Sequence, residues 1–432
     1  MFHTIHHGTL EYLTADALCG SVHCFSTRFG GVSEGALSSL NLGTHRGDKP
    51  ENVRENYRIL GAAAGYASAA DVTLFGVVDT GLIYTHQTFG DAEPAHVNKF
   101  AMESGVSSAS RFGLKGTEEL GNGLKVGFML ENGFQSDSGA LKSEKRIFDR
   151  EASVSVYSDF GTLSMGRMGG VGSGAGTYDL VLATADAFDG GDNNVFGFAT
   201  SDRYDNMVTY QTPKFAGLQA TVQYSFNEDS VNDKDREGSS AVNRYASAAL
   251  TGDFGALQTV LAYEFQNYQS FGTDVNPSVE DGHTVYLGGN YDFGVTRLFA
   301  MAQYFKGLSA TQLTAIADET RAETADNMWS DGAKGYGLHL GTVTPVFGGD
   351  FTAGLYFVDA KFQNGANAAN QNDADLSYYG AALRYGYPLS KRTTVYTGVG
   401  YGVSKLEFNN NGQDVEAKNQ VGQAYLGLTH MF

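Results

Sequence analysis

The residues best suited to chemistry lie in one glycine-rich tract, 168–204, which carries Tyr178-Asp179, Asp186 and Phe188-Asp189-Gly190-Gly191-Asp192-Asn193. Residues 189–194 lack the ligand spacing of a helix-loop-helix calcium site. The run Gly170-Val171-Gly172-Ser173-Gly174-Ala175 has the form GxGxxA, but no helix or βαβ unit follows it, so it is not read as a dinucleotide motif. The tract is too long for an ordinary hairpin connection, and a long loop in a compact fold is usually functional. Were it folded inward, Asp179, Asp186, Asp189 and Asp192 facing Arg111, Lys115, Arg150 and Arg167 on a wall would create a transverse field. Such a field orders water and orients dipolar solutes, while apolar molecules lose hydration without compensation.

The wall is legible in 107–134, which reads as two strands around a tight turn at Gly121-Asn122-Gly123. Phe112 and Leu114 fall on one face, with Arg111, Gly113, Lys115 and Thr117 on the other. In the second strand Val126, Phe128 and Leu130 oppose Lys125, Gly127 and Glu131. The same alternation recurs to the last residue in runs of about ten, broken by Gly, Asn and Asp, which is the signature of a transmembrane β-barrel with a wet interior. About sixteen strands are expected, beginning with 72–85, 107–119 and 123–134 and ending with 421–432. Short turns (253–255, 291–294, 347–350, 388–392) alternate with long polar loops. The expected fold is therefore all-β: a 16-stranded antiparallel transmembrane β-barrel preceded by a small N-terminal fragment, to which the family resemblance given below adds an inward-folded constriction loop.

Composition agrees. The 432 residues include 56 glycines, 24 tyrosines and only six prolines. No apolar run approaches the roughly 18 residues of a membrane helix, so lipid must be met by a closed sheet. A net charge of −19 repels nucleic-acid phosphates. The acids concentrate in loop-like stretches such as 227–237 and 311–331. Cys19 and Cys24 have no zinc-site spacing, and neither a metal nor another cofactor is expected.

Residues 71–432 resemble the general porins of Gram-negative bacteria. The resemblance is carried in family order by Val72-Thr73-Leu74-Phe75-Gly76-Val77-Val78-Asp79-Thr80-Gly81, by Ser110-Arg111-Phe112-Gly113-Leu114-Lys115-Gly116-Thr117-Glu118-Glu119-Leu120-Gly121, by Phe160-Gly161-Thr162-Leu163-Ser164-Met165-Gly166-Arg167, by 205–218 and by Tyr425-Leu426-Gly427-Leu428-Thr429-His430-Met431-Phe432. It implies an outer-membrane, multi-pass channel, an inward third loop and a homotrimer in contact with outer-membrane lipid and lipopolysaccharide. It also implies recognition of the chain end, Tyr425 to Phe432, by the outer-membrane assembly machinery. In 188–192 the order of acidic and aromatic residues is exchanged relative to the family element.

Arg111 and Lys115 lie on the inner face by alternation. Arg167 shares the parity of Leu163 and Met165, and a charge aimed at lipid costs roughly 2–4 kcal/mol at the midplane. The strand is therefore expected to end or bulge at Gly166 and turn the guanidinium into the lumen, as the resemblance also suggests. Arg150 has the same conflict, and snorkelling to an interface is an equal alternative.

Residues 1–65 differ from the rest. His23-Cys24-Phe25-Ser26-Thr27-Arg28-Phe29-Gly30-Gly31-Val32-Ser33-Glu34-Gly35, then Ser38-Ser39-Leu40-Asn41-Leu42-Gly43, Gly47-Asp48 and Val53-Arg54-Glu55-Asn56, are similar to the start of laccase-domain (polyphenol oxidase or purine nucleoside phosphorylase-like) proteins. The metal-binding motifs of that family do not follow. A truncated strand-and-turn segment without ligands is expected, with His3, His6, His7 and His23 at the surface. Residues 66–70 read as a linker or a signal-peptidase-like remnant around Ala67-Ser68-Ala69, an ordinary signal peptide being absent or replaced.

The expected function is passive diffusion of small hydrophilic solutes and ions, with weak cation preference from the acids of the loop, and no enzymatic activity. The rival is a laccase-domain oxidoreductase or phosphorylase. A β protein used for adhesion is a second rival.

Overall fold

The structure, a computed structural model, describes residues 2–7, 10–15, 25–27, 29–37, 39–42, 47–63, 72–90, 96–231, 242–268, 280–309, 313, 331–363, 373–410 and 413–432. Cys19, Cys24, His23, the segment 66–70 and most of the acidic tracts 227–237 and 311–331 lie outside the described residues.

The N-terminal segment contains β1 (Phe2–His7), β2 (Leu10–Ala15) and β3 (Phe25–Ser26) in one antiparallel sheet, and α1 (Pro50–Ala63). The helix corrects the strand-and-turn expectation. Asp48 stands just ahead of Pro50, where a short acid side chain can occupy the free N–H groups of a helix start. It accepts from Lys49 N at 2.8 Å, Ser33 Oγ at 2.5 Å, Asn41 Nδ2 at 3.0 Å and Asn52 Nδ2 at 3.2 Å. These donors, Ser33 foremost, hold its pKa down at about 2. Fully buried Asn56 ties the helix to the loops by accepting from Val32 N and donating to Ser33 Oγ and Asn41 O.

The rest is a closed antiparallel barrel. Its strands are β4 (Thr73–Phe89), β5 (His96–Ser104), β6 (Arg111–Gly121), β7 (Leu124–Gly133), β8 (Glu151–Ser158), β9 (Gly161–Gly169), β10 (Arg203–Gln211), β11 (Leu218–Ser225), β12 (Arg244–Phe254), β13 (Leu257–Asn267), β14 (Gly282–Asp292), β15 (Arg297–Leu308), β16 (Ala333–Val346), β17 (Gly349–Phe362), β18 (Ala374–Ser390), β19 (Thr393–Asn410) and β20 (Gln413–Met431). Each strand pairs with its sequence neighbours, and β20 pairs with β4 from Asn419↔Phe89 to Met431↔Val77. The seam ends with Phe432 N on Gly76 O at 3.0 Å and Gly76 N on Phe432 O at 3.1 Å. Closure leaves no backbone edge facing lipid.

The expected count of sixteen becomes sixteen plus one short strand, because the second wall strand is cut in two. β5 pairs with the later part of β4 (Thr80↔Ser104 to Thr88↔His96), and β6 also pairs with β4. Residues 105–110 interrupt the run. The strand His96–Ser104 escaped the sequence pattern because His96, Asn98, Phe100 and Met102 share one face, mixing polar and apolar types.

Alternation sorts the two faces. On β13 and β14, Leu261, Tyr263, Val285 and Leu287 are exposed outward, whereas Val260, Ala262, Thr284 and Tyr286 are buried inward. The turn at Gly121-Asn122-Gly123 is as expected, with positive φ at all three residues.

The largest apolar cluster lies inside the barrel, where the connection between β9 and β10 folds onto the inner wall. Val171, Val181, Leu182, Ala185, Phe188 and Phe198 of this loop pack on Ala262, Tyr286, Met301, Phe305 and Tyr356. The loop includes a single helical turn, α2 (Leu182–Ala185). The wall admits it through small residues: a Cβ at Gly337 would overlap the Phe198 ring, and one at Gly288 would meet Ala185 Cβ at 2.5 Å.

A candidate constriction site inside the barrel

The inward loop is fastened by buried carboxylates on both partners. From the loop, Asp186 accepts from the N–H groups of Phe188, Gly190 and Gly191 at 3.1, 2.9 and 2.8 Å and from Tyr356 Oη on β17 at 2.7 Å. Beside it, Ala187 N donates to His339 Nε2 on β16 at 3.3 Å. Asp192 accepts from Tyr425 Oη on β20 at 2.6 and 2.7 Å. From the wall, Glu151 accepts from Thr177 N at 3.0 Å and Thr177 Oγ1 at 2.8 Å. Glu264 accepts from Gly172 N, Ser201 Oγ, Tyr245 Oη and Tyr286 Oη at 2.6–2.9 Å. Acceptor-only groups in a dry interior need this number of donors.

The four expected acids therefore separate. Asp186 and Asp192 are 2% and 1% exposed and face the wall. Burial pushes Asp192 up to about 6. Asp189 is exposed, at a positive φ of 56°. Half-buried Asp179 lies next to it. Withdrawal from bulk water, then the charge of Asp189, pushes Asp179 up to about 8, so it holds a proton and shares it with Asp189. Asp189 is also raised, chiefly because the barrel around it withdraws it from bulk water and further by the charge of Asp186, while its hydrogen bond with Asp179 and the charges of Arg111 and Arg384 act the other way.

The basic residues separate too. Arg111 Nε is 3.6 Å from Glu131 Oε2, and Arg150 Nε donates to Glu131 Oε1 at 2.6 Å, so one inward carboxylate carries two guanidiniums. Arg150 is thus drawn to the inner face rather than to an interface. Lys115 is exposed, with Nζ 5.2 Å from the Phe75 ring centroid. Arg167 corrects the expectation. Gly166 is indeed irregular (φ +134°), and a Cβ there would overlap Ala152 O, but the guanidinium goes to Asp205 Oδ1 at 2.7 Å and to the carbonyls of Asp149 and Arg203. Asp205 sits in a register shift between Tyr204 and Met207 and also accepts from Arg146 at 2.9 Å. Arg167 is neutralised at the loop end of the wall.

Sequence reasoning missed Arg384 of β18, whose guanidinium lies 4.9 Å from the Phe188 ring centroid. Its signal was parity: it shares the face of buried Tyr378 and Ala382, opposite exposed Tyr379 and Leu383. Glu151, Glu264 and Asp79 were missed for the same reason, as inward polar residues on strands. Tyr425, expected in a chain-end signal, is buried inside the barrel on Asp192. Phe432 is half-exposed at the seam.

Residues 59–427 match the family of Gram-negative porins. The chain belongs to the Gram-negative porins. This porin is 34% identical over 373 residues to an outer-membrane porin of Bordetella pertussis, covering 77% of this chain and 90% of that one. It is also 34% identical over 252 residues to outer membrane porin protein 32 of Delftia acidovorans, covering 57% and 67%. Among solved structures it is similar to the anion-selective porin from Comamonas acidovorans, at 25% identity with a TM-score of 0.58, covering 84% of this chain and all of the other. It is a multi-pass outer-membrane channel protein, and its relatives are channels rather than enzymes. Residues 22–92 match the multi-copper polyphenol oxidoreductase laccase family. Among the described residues no cluster of three or more His, Cys, Asp or Glu could hold a metal.

Proposed function

We propose that this porin passes small hydrophilic solutes and ions passively, with a weak preference for anions, and works as a homotrimer rather than as an enzyme. The observation that carries the preference is the disposition of charge at the inward loop. Asp186 and Asp192 are buried against the wall and Asp179 is protonated at neutral pH. The carboxylates of the loop and the adjoining wall that face the lumen are then Asp189 and Glu131, set against the cations of Arg111, Arg150, Arg384 and Lys115, while those of Asp186 and Asp192 are turned into the wall and covered by hydrogen-bond donors. A positive constriction favours anion entry and lowers the barrier to anion passage. The similar structure described as anion-selective supports this reading. It replaces the cation preference expected from the excess of acid in the loop.

The N-terminal segment, 1–65, is proposed as a separate unit ahead of the barrel, without a catalytic role. Tyr425 is assigned to holding the loop, and Phe432 to the assembly signal.

The test is neutralisation of Arg111, Arg150 and Arg384 to Gln together, read as the zero-current potential of planar bilayers in a KCl gradient. The chloride-to-potassium permeability ratio should fall below unity. A ratio unchanged from the native channel would refute the reading. Unheated and heated migration on SDS gels tests the trimer.

A further inference from the structure

Residues 105–110, which split the second wall strand, fold into the lumen. On β4, Val77, Asp79, Gly81 and Ile83 share the inner face, and Val78 and Tyr84 are exposed on the outer one. The insertion packs on the inner residues: Val106 is buried among Ile83, Tyr396 and Tyr425. Asp79, with 0% exposure, fastens it at its ends and its middle. The Asp79 carbonyl accepts from Gly105 N and Ser110 Oγ, both at 2.9 Å, and its N–H donates to Ser110 Oγ at 3.0 Å. Its Oδ1 accepts from Ser107 N at 3.2 Å and Tyr396 Oη at 2.7 Å, and its Oδ2 from Thr429 Oγ1. A buried carboxylate with neutral donors only is an expensive device, and here its oxygens bind the insertion and the strands under it, while the Asp79 carbonyl also accepts from Ser136 Oγ, after β7, at 2.8 Å.

The insertion in turn holds two charges. Arg384 Nη1 donates to Ser107 Oγ at 3.3 Å. Arg111 Nη1 donates to Ser108 Oγ at 3.1 Å and to Ala109 O at 2.8 Å. These are the guanidiniums whose charges act on Asp189. An unrestrained arginine spreads its charge over many rotamers, whereas one whose planar donors are engaged presents it at one place.

We propose that 105–110 is a second constriction element beside the inward loop, that Asp79 is its positioning residue, and that it sets charge selectivity by fixing the Arg111 and Arg384 guanidiniums. This rests on the anion-preference reading above. Tyr396 and Tyr425, 6.0 Å apart, join the two elements, since Tyr396 holds Asp79 and Tyr425 holds Asp192.

The test compares four full-length channels in planar bilayers: native, R111Q/R384Q, D79N and S107A. Heat-modifiable gel migration checks each barrel. R111Q/R384Q should lower the chloride-to-potassium ratio. D79N should lower it by about twofold and raise single-channel conductance by about a third, as the insertion leaves the lumen. S107A keeps the backbone bond to Asp79 but frees Arg384, so it should lower the ratio with conductance unchanged, and it carries the test should D79N not fold. A lowered ratio in R111Q/R384Q, with native ratio and conductance in both D79N and S107A, would overturn the insertion's role and leave the channel reading standing. An unchanged ratio in R111Q/R384Q would overturn both.

Discussion

Tyr425, seven residues from the chain end, donates its hydroxyl to Asp192 in the inward loop at 2.6 and 2.7 Å, across 233 residues of sequence. Both residues are buried, so the last strand in the sequence also holds the inward loop in place. Removing this hydroxyl leaves Asp192 with an unsatisfied buried oxygen, a loss of about 1–3 kcal/mol. Tyr425→Phe should therefore lower the temperature at which the folded gel band converts to the unfolded one and should make single-channel current noisier. Unchanged melting and noise would show that the bond contributes little.

The inward loop needs a wall without side chains at defined points. Gly337→Val places branched carbons where the Phe198 ring lies, and overpacking of a close-packed site is destabilising by about 1–3 kcal/mol. Loop displacement should alter conductance, whereas Leu338→Val, on the exposed outer face of the same strand, should leave conductance at the native level. Single-channel recording of both variants checks this.

Selectivity should depend on pH through Asp179. Its carboxyl, pushed up to about 8, is neutral at pH 7 and ionises as pH rises, adding a negative charge beside Asp189, the residue on which the charges of Arg111 and Arg384 act. The chloride-to-potassium ratio should fall between about pH 7 and pH 9, and Asp179→Asn should abolish that fall. The sign for stability is the same. An acid whose folded pKa is raised favours folding when protonated, so its contribution is lost as pH rises from its ordinary value of 3.8 towards about 8. Reversal potentials at stepped pH provide the measurement.

Arg167 and Arg384 should behave oppositely. Arg167 is paired with Asp205 away from the constriction, so Arg167→Gln should leave the permeability ratio unchanged and reduce stability by on the order of 1–2 kcal/mol. Arg384→Gln should lower the ratio with little effect on melting. Bilayer recordings and gel-shift melting of the two variants separate these outcomes.

The barrel was legible in the sequence because alternation is local: Leu261 and Tyr263 against Val260 and Ala262 need no tertiary knowledge. Which acids of the loop face water was not legible. Asp186 and Asp189 are three residues apart in one turn-forming run, and the choice between them is made by Tyr356 and His339, far along the chain. Arg384 and Glu264 were readable by parity but lay outside the stretches whose composition drew attention. The insertion at 105–110 was hidden because it breaks the alternation that reveals the rest. Arg167 was misplaced because Asp205 neutralises it from a bulge that composition does not mark.

The central claim is that, with Asp186 and Asp192 turned into the wall and Asp179 protonated, the charge facing the lumen at the constriction is positive. The zero-current potential of the native channel at pH 7 in a tenfold KCl gradient tests it most directly. A potential showing chloride more permeant than potassium is the predicted result. A potential showing potassium more permeant than chloride would contradict the account.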